Sequence, residues 1–270
     1  MHSTGSNLQV DPQWYRSSVF YEVHVRGFYD ASGDGNGDLR GLTAKLDYLE
    51  WLGIDCLWLL PFYQSPLRDG GYDISDFFTV HPDFGTVEDA AELIEHAHRR
   101  GIRVIADMVV NHTSDQHPWF QESRQDATNP KADWYVWGDD DQRWSDARVI
   151  FIDTEPSNWT WDPQREQYYW HRFFHHQPDL NFDNPKVHDA MLEAMAFWLD
   201  MGLDGFRLTW PIIHEGPVYQ VGYIRLDAPG LPSDAALRRI IGLNAGERFE
   251  RRRVQEAVQR FNAYYHGLGH

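Results

Sequence analysis

The stretch TVEDAAELIEHAHRRGIRVIADMVV, residues 86–110, holds one helix and one strand in the order a parallel sheet needs. Thr86, followed three residues later by Asp89, has the form of a capping box, in which each side chain takes the other residue's backbone N–H. Ala90, Leu93, Ile94 and Ala97 then recur at helical spacing, and Gly101 supplies the left-handed residue that stops a helix. Behind it, RVIADMVV is apolar almost throughout, as a strand is when both of its faces are covered. The same unit recurs on either side. Upstream, SVFYEVHV (18–25) reads as a first strand, Leu39, Leu42, Leu46 and Leu49 as a helix ending at Gly53, and CLWLL from Cys56 as a buried strand closed by Pro61. Downstream, Pro185 suits a first helical turn, Val187, Met191, Met195 and Trp198 form the inward stripe, Gly202 ends it, and GFRL (205–208) is a short fourth strand.

Strands separated by amphipathic helices pair in parallel, because only a crossover connection returns the chain to the same edge. The α/β alternation therefore predicts a doubly wound sheet or part of a (β/α) barrel. Residues 111–183 break the rhythm: they are far longer than an ordinary connection and carry Trp119, Trp134, Trp137, Trp144, Trp159, Trp161 and Trp170. An inserted subdomain acting as a lid is expected there. The division that follows is a flexible N-terminus over 1–13, the first three strands over 14–110, the lid over 111–183, a helix and fourth strand over 184–208, and a divergent tail over 209–270.

Composition narrows the function classes. With 24 Lys+Arg against 41 Asp+Glu in 270 residues, the net charge of −17 repels nucleic acid and anionic lipid, and no apolar run is long enough to span a membrane. The 12 Trp, 13 Tyr and 15 Phe exceed what core packing asks for, and aromatic excess with acidic excess points toward sugars. The lone Cys56 lies in an apolar run and reads as a buried thiol. MHSTGSNLQVDPQWY lacks the basic and apolar segments of a signal peptide, so the cytoplasm is the expected address. The sequons at Asn111 and Asn158 read as chance matches.

Two sets of residues carry chemistry. In DASGDGNGD, oxygen-bearing Asp30, Ser32, Asp34, Asn36 and Asp38 alternate with small residues, the spacing of a Ca²⁺ loop, although Gly41 stands where an EF-hand places its last glutamate. A solvated acidic turn is the alternative. The second set lies at strand ends: Asp73 after the second strand, Asp107, Asn111 and His112 at the end of the third, and Arg207 at the end of the fourth. In a parallel barrel those ends share one face, so the groups converge.

ADMVVNH (106–112), QPDLN (177–181) and GFRL, together with GDGNGDLRG and DGGYDISDF, resemble the alpha-amylase superfamily of glycoside hydrolases. SPLRDGGYDISDF, HPDFGTVEDA and HRFFHHQPDLNFDNP are most similar to its trehalose synthase branch, whose reaction isomerises maltose to trehalose. The resemblance runs from about Trp14 to Leu208. It implies the first half of a (β/α)8 TIM-type barrel with a subdomain after strand three, and a retaining mechanism on a glucosyl-enzyme intermediate. It also implies that Asp73 and His112 bind the first glucose, that Gln177 lies near the second sugar, and that Arg207 positions the nucleophile. Asn111 and Asp179 would join a second Ca²⁺ site, and Asp107 would support the strand ends from beneath.

The superfamily follows GFRL with a nucleophilic aspartate, and this chain has Thr209. An alcohol with no adjacent base is a poor nucleophile at neutral pH. Beyond it no later motif of the superfamily is found, and the 62 residues from Thr209 to His270 house about two βα units at roughly thirty residues each, where a full barrel needs four more. RRIIGLNAGERFERRRVQEAVQRF (238–261) reads as a basic amphipathic helix. Asp227, in Arg225-Leu226-Asp227, repeats the Arg-x-Asp spacing as a substitute nucleophile, and Glu247 is a weaker candidate acid. The expectation is a trehalose synthase-like chain without intact catalytic carboxylates. The alternatives are a non-catalytic sugar-binding module, or descent from another alpha-glucosidase of the superfamily. Open barrel edges would favour oligomers or aggregates.

Overall fold

The structure, a computed structural model, describes residues 13–209. Asp227, Glu247, the basic helix and most of the N-terminal segment lie outside the described residues. In chain order the elements are β1 (Phe20–Val23), α1 (Leu39–Ala44), α2 (Leu46–Leu52), β2 (Cys56–Leu59), β3 (Tyr63–Gln64), β4 (Asp76–Val80), α3 (Val87–Arg99) and β5 (Arg103–Val109). There follow α4 (Pro118–Ser123), β6 (Trp137–Gly138), β7 (Trp159–Asp162), β8 (Gln167–Trp170), α5 (Pro185–Met201) and β9 (Gly205–Thr209).

One sheet carries the α/β pattern. Its order is β1-β2-β5-β9, all parallel, with Cys56 beside Phe20, Val104 beside Leu57 and Arg207 beside Asp107. Sequential order without reversal is that of an arc of (β/α) barrel, and among the described residues the arc is not closed. The capping box of α3 forms as expected, and Ala90, Leu93, Ile94 and Ala97 are buried. In α5, Asn184 caps the N-terminus through the Lys186 N–H and Gly202 ends the helix at φ 117°. Its inner line differs by one residue: Ala194 is buried and Met195 only partly so, because 187, 191, 194 and 198 follow the 3.6-residue turn more closely.

The expected helix from Leu39 to Leu52 is two, broken at Lys45, whose backbone N–H donates to the Leu42 and Thr43 carbonyls in a tightened turn. Leu39, Leu42, Leu46 and Leu49 remain buried on one line across the break. The chain before α1 lies so close that a Cβ on Gly41 would stand 2.0 Å from the Tyr29 carbonyl oxygen, so only glycine fits.

Two further sheets were not evident from periodicity. β3 and β4 form an antiparallel hairpin, with Tyr63 opposite Val80, and present the intervening loop at the C-terminal ends of the parallel strands. Within residues 111–183, β6-β8-β7 form an antiparallel sheet with Trp159 beside Trp170. An isolated bridge from His112 to Asp179 ties that segment to the end of β5, and one from Tyr135 to Leu180 pairs two stretches within it. Among the described residues no helix is long and apolar enough to cross a membrane.

Candidate active site

The register that sets Val109 beside Thr209 and Asp107 beside Arg207 brings two strand ends together, and the β3–β4 loop and lid add the rest. Asp107 is fully buried and accepts from Tyr72 Oη at 2.6 Å and Trp58 Nε1 at 3.2 Å, with Arg207 Nη1 at 3.5 Å. Burial, helped by that bond to Asp107, holds the Tyr72 phenol above its ordinary range. Arg207 lies over the Trp58 ring at 5.5 Å and donates from Nη1 to Thr209 Oγ1 at 2.7 Å. A guanidinium is always protonated, so it donates to the alcohol and cannot take its proton.

His112 is buried and neutral: burial pushes its pKa down to about 3. Its Nε2 meets the Tyr72 carbonyl at 3.2 Å and its Nδ1 meets Asn111 Nδ2 at 3.1 Å, partners that place the proton on Nε2. Asn111 Nδ2 also donates to Asp179 Oδ1 at 2.9 Å, as does the Arg172 N–H at 3.0 Å. The other oxygen, Asp179 Oδ2, is buried without a hydrogen bond, although Trp170 Nε1 approaches it. Burial raises the Asp179 pKa to about 8.

Asp73 and Asp69 have different environments. Asp73 has no exposed surface and its carboxylate is saturated by Ser65 Oγ at 2.9 Å, the Arg68 N–H at 3.1 Å and the Asp69 N–H at 3.2 Å. It closes the loop from within, in electrostatic reach of Asp69 and His176. Asp69 is half-buried, its pKa raised by that burial, and its Oδ2 accepts from Gln177 Nε2 at 2.8 Å. Gln177 in turn accepts the Phe174 N–H at 3.2 Å, so lid and barrel loop meet through a Gln–Asp pair. Sequence reasoning passed over Asp69. The available signal was the Gly70-Gly71 pair directly after it, which turns the chain at φ 61° and 103°. Leu67 in the same loop holds a left-handed φ of 58°, strain of about 1 kcal/mol or more for a residue with a Cβ.

The DASGDGNGD loop stands apart from these groups. Asp30 accepts the Gly33 and Gly35 N–H groups, Ser32 bonds Asp30 through Oγ and Asp38 through its N–H, and Asn36 Oδ1 accepts from Arg26 Nε. Asp38 also caps α1 through the Gly41 N–H at 2.6 Å. Two carboxylates therefore meet across Ser32, and the donors are the hard oxygens that Ca²⁺ takes. Among the described residues no group of three or more His, Cys, Asp or Glu already converges, so a cation would have to draw Asp30 and Asp34 inward.

The alpha-amylase catalytic domain family matches residues 22–214. The chain belongs to that family. The trehalose synthase of Pimelobacter sp. is 67% identical over 211 residues, covering 78% of this chain and 37% of its own. The trehalose synthase/amylase of Mycobacterium tuberculosis is 65% identical over 201 residues, covering 74% and 33%. Among solved structures, an alpha-glucosyl transfer enzyme superposes with a TM-score of 0.69 at 50% identity, over 72% of this chain and 36% of that one. This alpha-amylase family chain thus spans about a third of the length of the curated relatives it matches.

Proposed function

We propose that this chain is the sugar-holding part of a trehalose synthase-like alpha-glucoside enzyme and that, by itself, it turns over negligibly. The trehalose synthase lineage is favoured over another alpha-glucosidase because identity is 67% to a trehalose synthase and 50% to the glucosyl transfer enzyme. The observation that carries the catalytic part of the reading is the 2.7 Å bond from Arg207 to Thr209 Oγ1. The arginine occupies the position from which its relatives' arginine would hold a carboxylate, and it holds an alcohol. No charge opposes an oxocarbenium-like transition state there, and the neighbouring cation cannot act as a base. With maltose as substrate and trehalose read by NMR, the full chain is expected to run roughly 10⁴-fold or more below an intact relative. Conversion at ordinary rates, abolished by Asp227→Ala, overturns the reading. Micromolar maltose binding without turnover would instead support a non-catalytic sugar-binding module.

At these strand ends we assign the first glucose to Asp69, His112 and Arg207, with Gln177 toward the second ring. Asp73 shapes the loop. Asp69→Ala is expected to weaken maltose binding about tenfold or more, since a hydrogen bond to a charged group contributes roughly 1.5–3 kcal/mol, and to destabilise the fold less than Asp73→Ala, because only Gln177 loses its acceptor. Asp73→Ala is expected to destabilise the fold, because three donors lose their acceptor. Calorimetric titration and thermal melts of the two variants give the answer, and the reverse pattern returns the sugar to Asp73.

Ca²⁺ is proposed at two places. One is the loop of Asp30, Ser32, Asp34, Asn36 and Asp38, supported by its all-oxygen donors. The other is the position facing Asp179 Oδ2, where a cation would satisfy a buried oxygen and Asn111 would supply its amide oxygen. There it would neutralise the buried carboxylate. Melting in Ca²⁺ is expected to exceed melting in EGTA, since an ion bound only by the fold stabilises it, and Asp179→Asn should lose part of the shift. Identical melts in both conditions remove both ions.

A further inference from the structure

His176 is 8% exposed, and its Nε2 is buried without a hydrogen-bond partner. Leaving such a group unmade costs roughly 1–3 kcal/mol, so it asks for an explanation. The ring stacks on Phe174 at 5.2 Å and 7°, and Phe174 stacks on Phe151 at 4.2 Å and 3°, giving three parallel rings along one wall of the lid. Phe173 joins that wall to the strand ends by packing edge-on against the His112 ring at 5.2 Å. His176 lies within electrostatic reach of Asp69 and of His112, the two groups assigned to the first glucose. It is also the immediate neighbour of Gln177, which bonds Asp69.

A single buried water fits this environment poorly. It needs two to four polar partners at once; the rings stacked beside His176 are those of Phe174 and His175, the latter edge-on at 5.4 Å, while Asp69, Asp73 and Asp115 lie in electrostatic reach without a hydrogen bond to its Nε2. A pyranose fits better, because it brings a C–H face to aromatic rings and a hydroxyl that both donates and accepts. We propose that His176 is a specificity-determining residue, whose Nε2 takes a hydroxyl of the second ring of a bound disaccharide while the Phe151–Phe174 stack supports the sugar beside it. The inference rests on the sugar-binding reading above and deepens it. The barrel groups hold the first ring, and the lid segment 174–177 selects what is attached to it.

The test uses the full chain and two sugars. His176→Phe keeps a flat aromatic ring in the stack and removes the nitrogen. Calorimetric titration is expected to show maltose affinity falling about tenfold in this variant, with glucose affinity unchanged. A second measurement does not depend on the variant folding well: in ¹⁵N-histidine-labelled wild type, the His176 ring nitrogen should shift as maltose saturates the protein. Unchanged maltose affinity in His176→Phe, or a ring nitrogen that stays put at saturation, overturns the role of His176 and leaves the sugar site standing. Wild type that binds neither sugar overturns the site and this residue's role together.

Discussion

Trp198→Ala is expected to cost the fold about 4 kcal/mol, within the range of roughly 3–5 kcal/mol for deleting a buried tryptophan. Trp198 has no exposed surface, and it is the bolt between α5 and the β3–β4 hairpin. Its ring meets Phe62 edge-on at 5.1 Å and Tyr63 at 5.5 Å, and its Nε1 donates to the Phe77 carbonyl at 2.7 Å. Alanine opens a cavity and also removes the donor to that carbonyl, which keeps the cost off the low end of that range. Trp198→Phe keeps most of the area and loses only the N–H, so it should cost about 1–3 kcal/mol. The hairpin carries the loop of Asp69 and Asp73, so loosening it should weaken sugar binding in Trp198→Ala more than in Trp198→Phe. Urea titrations followed by circular dichroism compare the three proteins. Equal midpoints for wild type and Trp198→Ala would show that α5 does not anchor the hairpin.

The parts of the fold legible in the sequence are those with a period. In α3 the capping box, the buried stripe and the stop at Gly101 all speak for the same element, and the structure has it within a residue. The parallel strands were legible because burial on both faces leaves an apolar run of strand length, as in β2 and β5. The β3–β4 hairpin was not, since β3 is two residues long and a bulge shifts its register, leaving no repeat to detect. The break at Lys45 was hidden for the opposite reason: the leucine line runs straight through it. At the candidate site, motif order placed Asp107, Asn111, His112, Gln177 and Arg207 close in space, because strand ends of a parallel sheet share a face. Asp69 and Asp73, two carboxylates four residues apart in one loop, differ in a way no motif shows: backbone N–H groups and Ser65 consume Asp73, while Asp69 meets Gln177, and hydrogen-bond direction leaves no mark in a sequence.

Acidification from pH 6.5 to pH 4 is expected to remove about 3 kcal/mol of stability or more, and His117 contributes about one proton's share of the slope. This residue is 4% exposed and caps α4 by accepting the Trp119 N–H on Nδ1 at 3.1 Å, which only the neutral ring can do. Burial, with Lys131 nearby, pushes its pKa down to about 3, and burial does the same to His112. Unfolded histidine titrates near 6.5, so below that value the unfolded chain binds two protons that the fold refuses. Their stabilisation is complete above pH 6.5 and is lost as pH falls toward 3. Asp179 acts in the opposite sense: with a folded pKa of about 8 against roughly 3.9 unfolded, the fold keeps a proton the unfolded chain has released. Between pH 4 and 6.5 His117 and His112 outweigh Asp179 by one proton, about 1.4 kcal/mol per pH unit from these three groups; His171, His176 and His81, whose pKa values burial also lowers, steepen the limb, and Asp69, raised by burial, opposes them near its acid end. Above 6.5 Asp179 acts alone and stability declines again, which sets the maximum near pH 6.5 for the metal-free protein. His117→Asn keeps an oxygen to cap the helix and removes one titrating group, so the acid limb should be shallower than in wild type by about 1.4 kcal/mol per pH unit. Urea midpoints at pH 4.5, 5.5 and 6.5 measure both slopes in EGTA. Parallel slopes for wild type and His117→Asn would mean that the cap accepts its proton without cost, which a buried imidazole bonded through Nδ1 has no way to do.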